Sequence, residues 1–107
     1  YLYGDSFGSK LVLEAAAATK NNLSGLIITS FFDKPQGFGE IPKKVKIYQG
    51  ENDYLCSTTC ASAKLKQYWG IDDEHGLTPV KEEGHSFRRI DTWAYVLNGI
   101  VNFIKSD

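Results

Sequence analysis

Near its start the chain reads Leu2-Tyr3-Gly4-Asp5-Ser6-Phe7-Gly8-Ser9, a Gly-x-Ser-x-Gly pattern with apolar residues before it and an alanine-rich run after it. That order predicts a strand turning sharply into a helix, with a serine at the corner. Such a turn holds the hydroxyl clear of the backbone. Its flanking glycines are expected because a Cβ at either would collide with the neighbouring chain. A pattern this short arises by chance, so its weight depends on the rest of the chain.

Along that rest, element signals alternate regularly. Leu2-Tyr3 reads as the tail of a parallel strand, and Tyr1 already lies within that signal, which predicts further residues upstream. From Gly8 to about Lys20, Leu11, Val12, Leu13 and Ala15 to Ala18 make a helix apolar nearly all round, as suits a helix packed tightly on a sheet. Asn21-Asn22 suits its C-terminus. Leu26-Ile27-Ile28-Thr29 is a short β-branched run expected of a strand buried on both faces. Asp33 to Pro42, with two prolines and two glycines, reads as a loop.

Val45 to Gln49 makes a third strand ending at Gly50. Ser57 or Thr58 can cap a helix with Ala61, Leu65, Tyr68 and Trp69 on one face, closed by Gly70. Asp72 to Gly76 is a charged turn. Leu77 to Glu82 is a fourth, weaker strand, since Pro79 cannot donate to a ladder and belongs at a sheet edge. Asp91 is expected to cap a last helix, with Trp93, Val96, Leu97, Ile100 and Ile104 at helical spacing and Gly99 costing it about 1 kcal/mol. The order is strand, helix, strand, strand, helix, strand, helix. It predicts an α/β fold of three layers, helices on both faces of a mostly parallel sheet of about four strands.

Size and charge narrow the functional classes. With 107 residues the chain is one domain's worth, able to bury roughly two thirds of its unfolded surface. Apolar residues at 42% and charged ones at 23% exclude a disordered chain, and a net charge of −1 gives no reason to expect nucleic acid. No apolar run approaches the roughly 18 residues of a membrane span, and no signal-peptide pattern opens the chain. Cys56 and Cys60 are close enough in sequence to bridge only with strain and have no second pair for a zinc site. With the cytoplasm as the default location, two reduced thiols are expected.

The first, third and fourth strands each end in a residue with chemistry. Ser6 comes after the first, Gly50-Glu51-Asn52-Asp53 after the third, and Glu83-Gly84-His85-Ser86-Phe87 after the fourth. In open α/β sheets functional groups gather at the carboxyl ends of the strands. A serine hydroxyl becomes a useful nucleophile when an imidazole takes its proton, and a buried carboxylate fixes the imidazole tautomer. Ser6, His85 and Asp53 supply those three roles in the chain order Ser, Asp, His. Taken singly each has a plainer reading: Ser6 as a helix cap, Asp53 as a turn residue, His85 as a loop histidine. Their joint placement favours the chemistry.

These residues resemble the α/β-hydrolase superfamily. Gly4-Asp5-Ser6-Phe7-Gly8 is similar to its nucleophile elbow, Gly50-Glu51-Asn52-Asp53 to its acid turn, and Gly84-His85-Ser86-Phe87 to its histidine loop. The short spacings leave no room for a cap domain, as in the dienelactone-hydrolase-like branch, and the closing amphipathic helix resembles prolyl-oligopeptidase-type hydrolases. The resemblance covers residues 1–107 but only the C-terminal half of the family's fold, so it implies a single, incomplete domain. It implies a serine hydrolase acting on an ester or related acyl substrate, with the Phe7 backbone N–H as an oxyanion donor and neither cofactor nor metal. The second oxyanion donor would come from a loop after an earlier strand, and the first strand would present an unpaired edge open to pairing with another chain. A GDS-type (SGNH) lipase is the competing resemblance, with Asn52 as oxyanion donor and Glu82 where that family places an Asp before its histidine. A non-catalytic binding module on the same fold is the third possibility.

Other chemistry-bearing residues read more plainly. His75, in an acidic turn, is expected to be solvated, since no second ligand pair is spaced for a metal. Lys43, Lys44 and Lys46 read as a solvated strand entrance, Arg88-Arg89 as surface or helix-entry residues, and Tyr68, Trp69 and Trp93 as packing.

Overall fold

The computed structural model describes residues 1–19, 23–31, 33, 44–71 and 76–106. Its elements run in the expected order: β1 (Leu2–Asp5), α1 (Phe7–Thr19), β2 (Leu26–Thr29), β3 (Val45–Gly50), α2 (Thr58–Trp69), β4 (Leu77–Val80) and α3 (Ile90–Lys105). The strands pair in the order β1-β2-β3-β4, every pair parallel, so their carboxyl ends share one rim of the sheet. The Asn21-Asn22 helix end, Lys43, His75, and the two predicted loops apart from Asp33 and Gly76 lie outside the described residues.

Strand alternation divides the core between the two faces. Leu26, Ile28, Val45, Ile47 and Leu77 pack with Leu13 and Ala16 of α1 and Ala61 and Leu65 of α2. Tyr48, Val80, Phe87 and Val96 form a second cluster under α3. Fully burying one such aliphatic side chain contributes roughly 1.5–3 kcal/mol. These are the three layers expected of an α/β fold.

The helices differ from expectation in instructive ways. α1 buries one stripe, Ser9, Leu13 and Ala16, and leaves Phe7 and Leu11 well exposed, so it is not apolar against protein all round. α2 is capped as read: the Ser57 side chain accepts from the Cys60 N–H, and Gly70, at φ 68, donates its N–H to the last turn. Trp69 packs edge-on to Phe31. α3 starts at Ile90, one residue ahead of Asp91, so Asp91 is not its cap. Its carboxylate instead pairs with the Arg89 guanidinium at 2.7 Å. The N-terminal region is served from outside by Glu83, whose buried carboxylate accepts from the Arg88 and Arg89 N–H groups at 3.1 and 3.2 Å.

Gly99, a helix-weakening residue by propensity, has a tertiary reason: a Cβ there would overlap the Tyr48 hydroxyl. Trp93 is partly buried and donates its indole N–H to the Phe87 carbonyl at 2.8 Å. The rest of the predicted α3 stripe is only partly used. Leu97 is 56% and Ile104 40% exposed. With Tyr1, Tyr3, Ile27 and Ile100 they line an open apolar hollow of about 390 Å³ beside the edge of β1 that pairs with no strand among the described residues.

Three further expectations are corrected. β4 ends at Val80, not Glu82, because the chain turns there and Glu82 adopts φ 60. Lys44 is not merely solvated: its ammonium donates to the Tyr1 hydroxyl at 2.6 Å and lies over the Tyr1 and Phe103 rings. Cys56 and Cys60 are not free thiols but a disulfide. Cys56 precedes the α2 cap and Cys60 lies in the first turn, where the chain doubles back and brings the Cα atoms to 5.2 Å, within bridging range. Among the described residues no helix is long and apolar enough to cross a membrane.

Candidate active site

The parallel order carries Ser6, Ser30, Asp53 and His85 to the same rim, each just past the end of a different strand. Ser6 takes φ 55, the left-handed region that side chains seldom occupy. Its N–H bonds to the Thr29 carbonyl at 3.0 Å, and its own carbonyl accepts from the Ser9 N–H at 2.9 Å and the Ser9 hydroxyl. These bonds force the corner at a cost of about 1–3 kcal/mol. Gly4 lets the helix seat on the strand: a Cβ there would lie 2.5 Å from the Gly8 carbonyl oxygen and 2.6 Å from Val12. Gly8 itself carries no such constraint, since a Cβ on it meets nothing within 4 Å. The expected need for glycine holds for the first flank alone.

Asp53 is 4% exposed and uses both carboxylate oxygens. Oδ1 accepts from the Leu55 and Cys56 N–H groups at 2.8 and 3.1 Å, an Asx-type turn. Oδ2 accepts from the Gln49 amide at 3.2 Å and lies 2.8 Å from His85 Nδ1. The acid turn and the histidine loop meet because Gly50 lacks a side chain; a Cβ there would run into the Glu83 and Gly84 carbonyls. The Asn52 N–H then bonds to the Glu83 carbonyl at 3.0 Å.

His85 closes the line. Its Nδ1 faces a carboxylate and so carries the ring proton, which leaves Nε2 as the acceptor for the Ser6 hydroxyl it contacts. The Ser30 hydroxyl donates to the His85 carbonyl, and the Tyr54 ring stands edge-on to the imidazole with centroids 6.0 Å apart. The His85 side chain is 10% exposed, close to solvent but not open to it. A proton can pass from Ser6 to His85, and the Asp53 charge can steady the imidazolium that results. Phe7 is the first residue of α1, so its N–H has no acceptor within the helix and lies at the positive end of the helix dipole.

All three residues named from the sequence thus meet, and Phe7 stands beside them. Glu82 does not join: it is exposed and pairs with Arg89 at 2.7 Å. Asn52 is exposed as well. Gln49, Ser30, Tyr54 and Glu83 were not singled out. Gln49 had a legible signal, since alternation places it on the same face as Val45 and Ile47, where a polar side chain needs partners. Ser30 had none, because its acceptor lies 55 residues away.

Burial alone would raise the Glu83 carboxyl. The Thr92 hydroxyl and the Arg88 and Arg89 amides outweigh it and hold the group below its ordinary value. Glu83 therefore stays ionised beneath the histidine loop and fixes its far end against α3.

No protein-family model matches the chain, and no curated protein matches it. Among solved structures it is similar to a crystal structure from Pectobacterium atrosepticum, provisionally described as a YdeN-like hydrolase, at a TM-score of 0.62 and 24% sequence identity. The match covers 95% of this chain and 57% of that one, so this chain spans little more than half that protein's length. At this identity the likeness is one of fold alone, a parallel α/β arrangement.

Proposed function

We propose that the chain carries the nucleophile, acid and base of a serine hydrolase acting on ester or related acyl substrates. The observation that supports this best is the unbroken hydrogen-bonded line from Ser6 Oγ through the His85 ring to Asp53 Oδ2 at the carboxyl rim of a parallel sheet. In this reading Ser6 attacks the acyl carbonyl while His85 takes its proton. The tetrahedral oxyanion is met by the Phe7 N–H, and its collapse expels the leaving group, to which His85 returns the proton. Water, activated by the same imidazole, then hydrolyses the acyl-enzyme. The compact spacing supports a dienelactone-hydrolase-like kind of enzyme. A second oxyanion donor would come from a segment docked on the open edge of β1, whether from the same polypeptide or from another chain. Without it the rate would fall about 100- to 1000-fold.

The line through Asp53 favours this reading over the GDS type, where Asn52 would donate to the oxyanion and the acid would precede the histidine. A fluorophosphonate probe tests the proposal. Ser6 is expected to label covalently, with labelling lost in Ser6→Ala and His85→Ala. A folded sample that stays unlabelled after prolonged exposure would mark the chain as a binding module.

A further inference from the structure

Gln49 is the last side chain of β3 before the Gly50 turn, and it is wholly buried. A primary amide in such a place has to find partners. Its Nε2 lies 2.7 Å from the Phe31 carbonyl, 2.6 Å from the Cys56 carbonyl and 3.2 Å from Asp53 Oδ2. All three are acceptors, which decides which end of the amide is nitrogen. The Oε1 end meets no donor among the described residues. The surroundings of Gln49 are built to receive what it donates.

The Asp53 oxygen it reaches is the one that faces His85 Nδ1. The other oxygen is held by the Leu55 and Cys56 amides. A carboxylate gripped by one oxygen can still pivot about it, carrying the free oxygen away from the imidazole. The Gln49 amide closes that movement. Its bond to the Cys56 carbonyl also ties the loop bearing Asp53 back to the strand it leaves. Two protons shared among three acceptors leave the Asp53 contact the longest, as suits a group that steers an oxygen whose stronger bond goes elsewhere.

We infer that Gln49 is a positioning residue: it holds Asp53 Oδ2 against the His85 Nδ1–H and acts on the chemistry through that carboxylate alone. Its effect on rate rests on the serine-hydrolase reading; its effect on the imidazole does not.

The test compares the full chain with Gln49→Met, close in volume and without an N–H. Two quantities are measured: turnover of p-nitrophenyl acetate, and the downfield proton NMR resonance of the His85 Nδ1–H. In the variant, kcat is expected to fall on the order of 10- to 100-fold at unchanged KM, and the resonance to move upfield and broaden. A folded variant with wild-type kcat and an unmoved resonance overturns the inference. If the wild-type chain neither labels nor turns over, the hydrolase reading fails while the resonance still decides the role of Gln49. Should Gln49→Met not fold, Gln49→Asn keeps the amide but falls one methylene short of Asp53, and the same two readings apply.

Discussion

Gly4 and Gly8 belong to one motif, yet only Gly4 is sterically obliged: its missing Cβ makes room for the Gly8 carbonyl oxygen, which would otherwise lie 2.5 Å away. Gly8 returns no such constraint, because the space around its own Cα is open. The helix thus leans on the strand in one direction, and the two glycines are not equivalent.

Gly4→Ala should therefore destabilise the chain by about 1–3 kcal/mol, as overpacking against backbone does. Gly8→Ala should be neutral or stabilise by about 0.5–1 kcal/mol, since it sits inside a helix. Urea denaturation of the two variants measures both. Equal losses from the two would show that the elbow is not seated as described.

Asp53 and Asn52 are neighbours with opposite environments, one buried against the imidazole and one exposed. Asp53→Asn should lower kcat by about 10⁴-fold, because an amide at this place favours the wrong imidazole tautomer. Asn52→Ala should stay within about twofold, as exposed positions generally do. Ester turnover of both variants decides between Asp53 as the acid and Asn52 as an oxyanion donor. The reverse pattern would restore the GDS-type reading.

Glu83 links the histidine loop to α3 through a charge held below its ordinary carboxylate value. A group whose folded pKa is depressed adds stability that is complete above its unfolded value. That contribution fades as pH falls through the folded one, because the unfolded chain takes up the proton first. Wild type should therefore melt roughly 5 °C above Glu83→Gln near neutral pH. The gap should close as pH falls from the ordinary glutamate range through the lowered folded value. Melting curves across that range are the check, and a gap independent of pH would place the role of Glu83 in packing alone.

Much of this site was legible because its parts are local. The strand-turn-helix around Ser6, the Ser57 and Gly70 ends of α2, and the β-branched run of β2 each depend on residues a few positions apart. Where a feature depended on a distant partner, local reading failed or fell short. Asp91 looked like a cap until Glu83 was found feeding the α3 start. Gly99 looked like a defect until Tyr48 was found against it. Cys56 and Cys60 looked too strained to bridge until the turn into α2 brought them together.

By itself the sequence determined which elements form, in what order, and which three side chains had the chemistry to act together, since propensity, capping and motif are short-range properties of the chain. Only the tertiary structure decided that the four parallel strands lie side by side in chain order. That order brings residues as far apart as Ser6 and His85 to one rim, and it buries the amide of Gln49 against the Asp53 carboxylate that faces His85. The physical reason is that strand order and hydrogen bonds between distant segments are selected by packing the two faces of the sheet, a balance that no short window of residues contains.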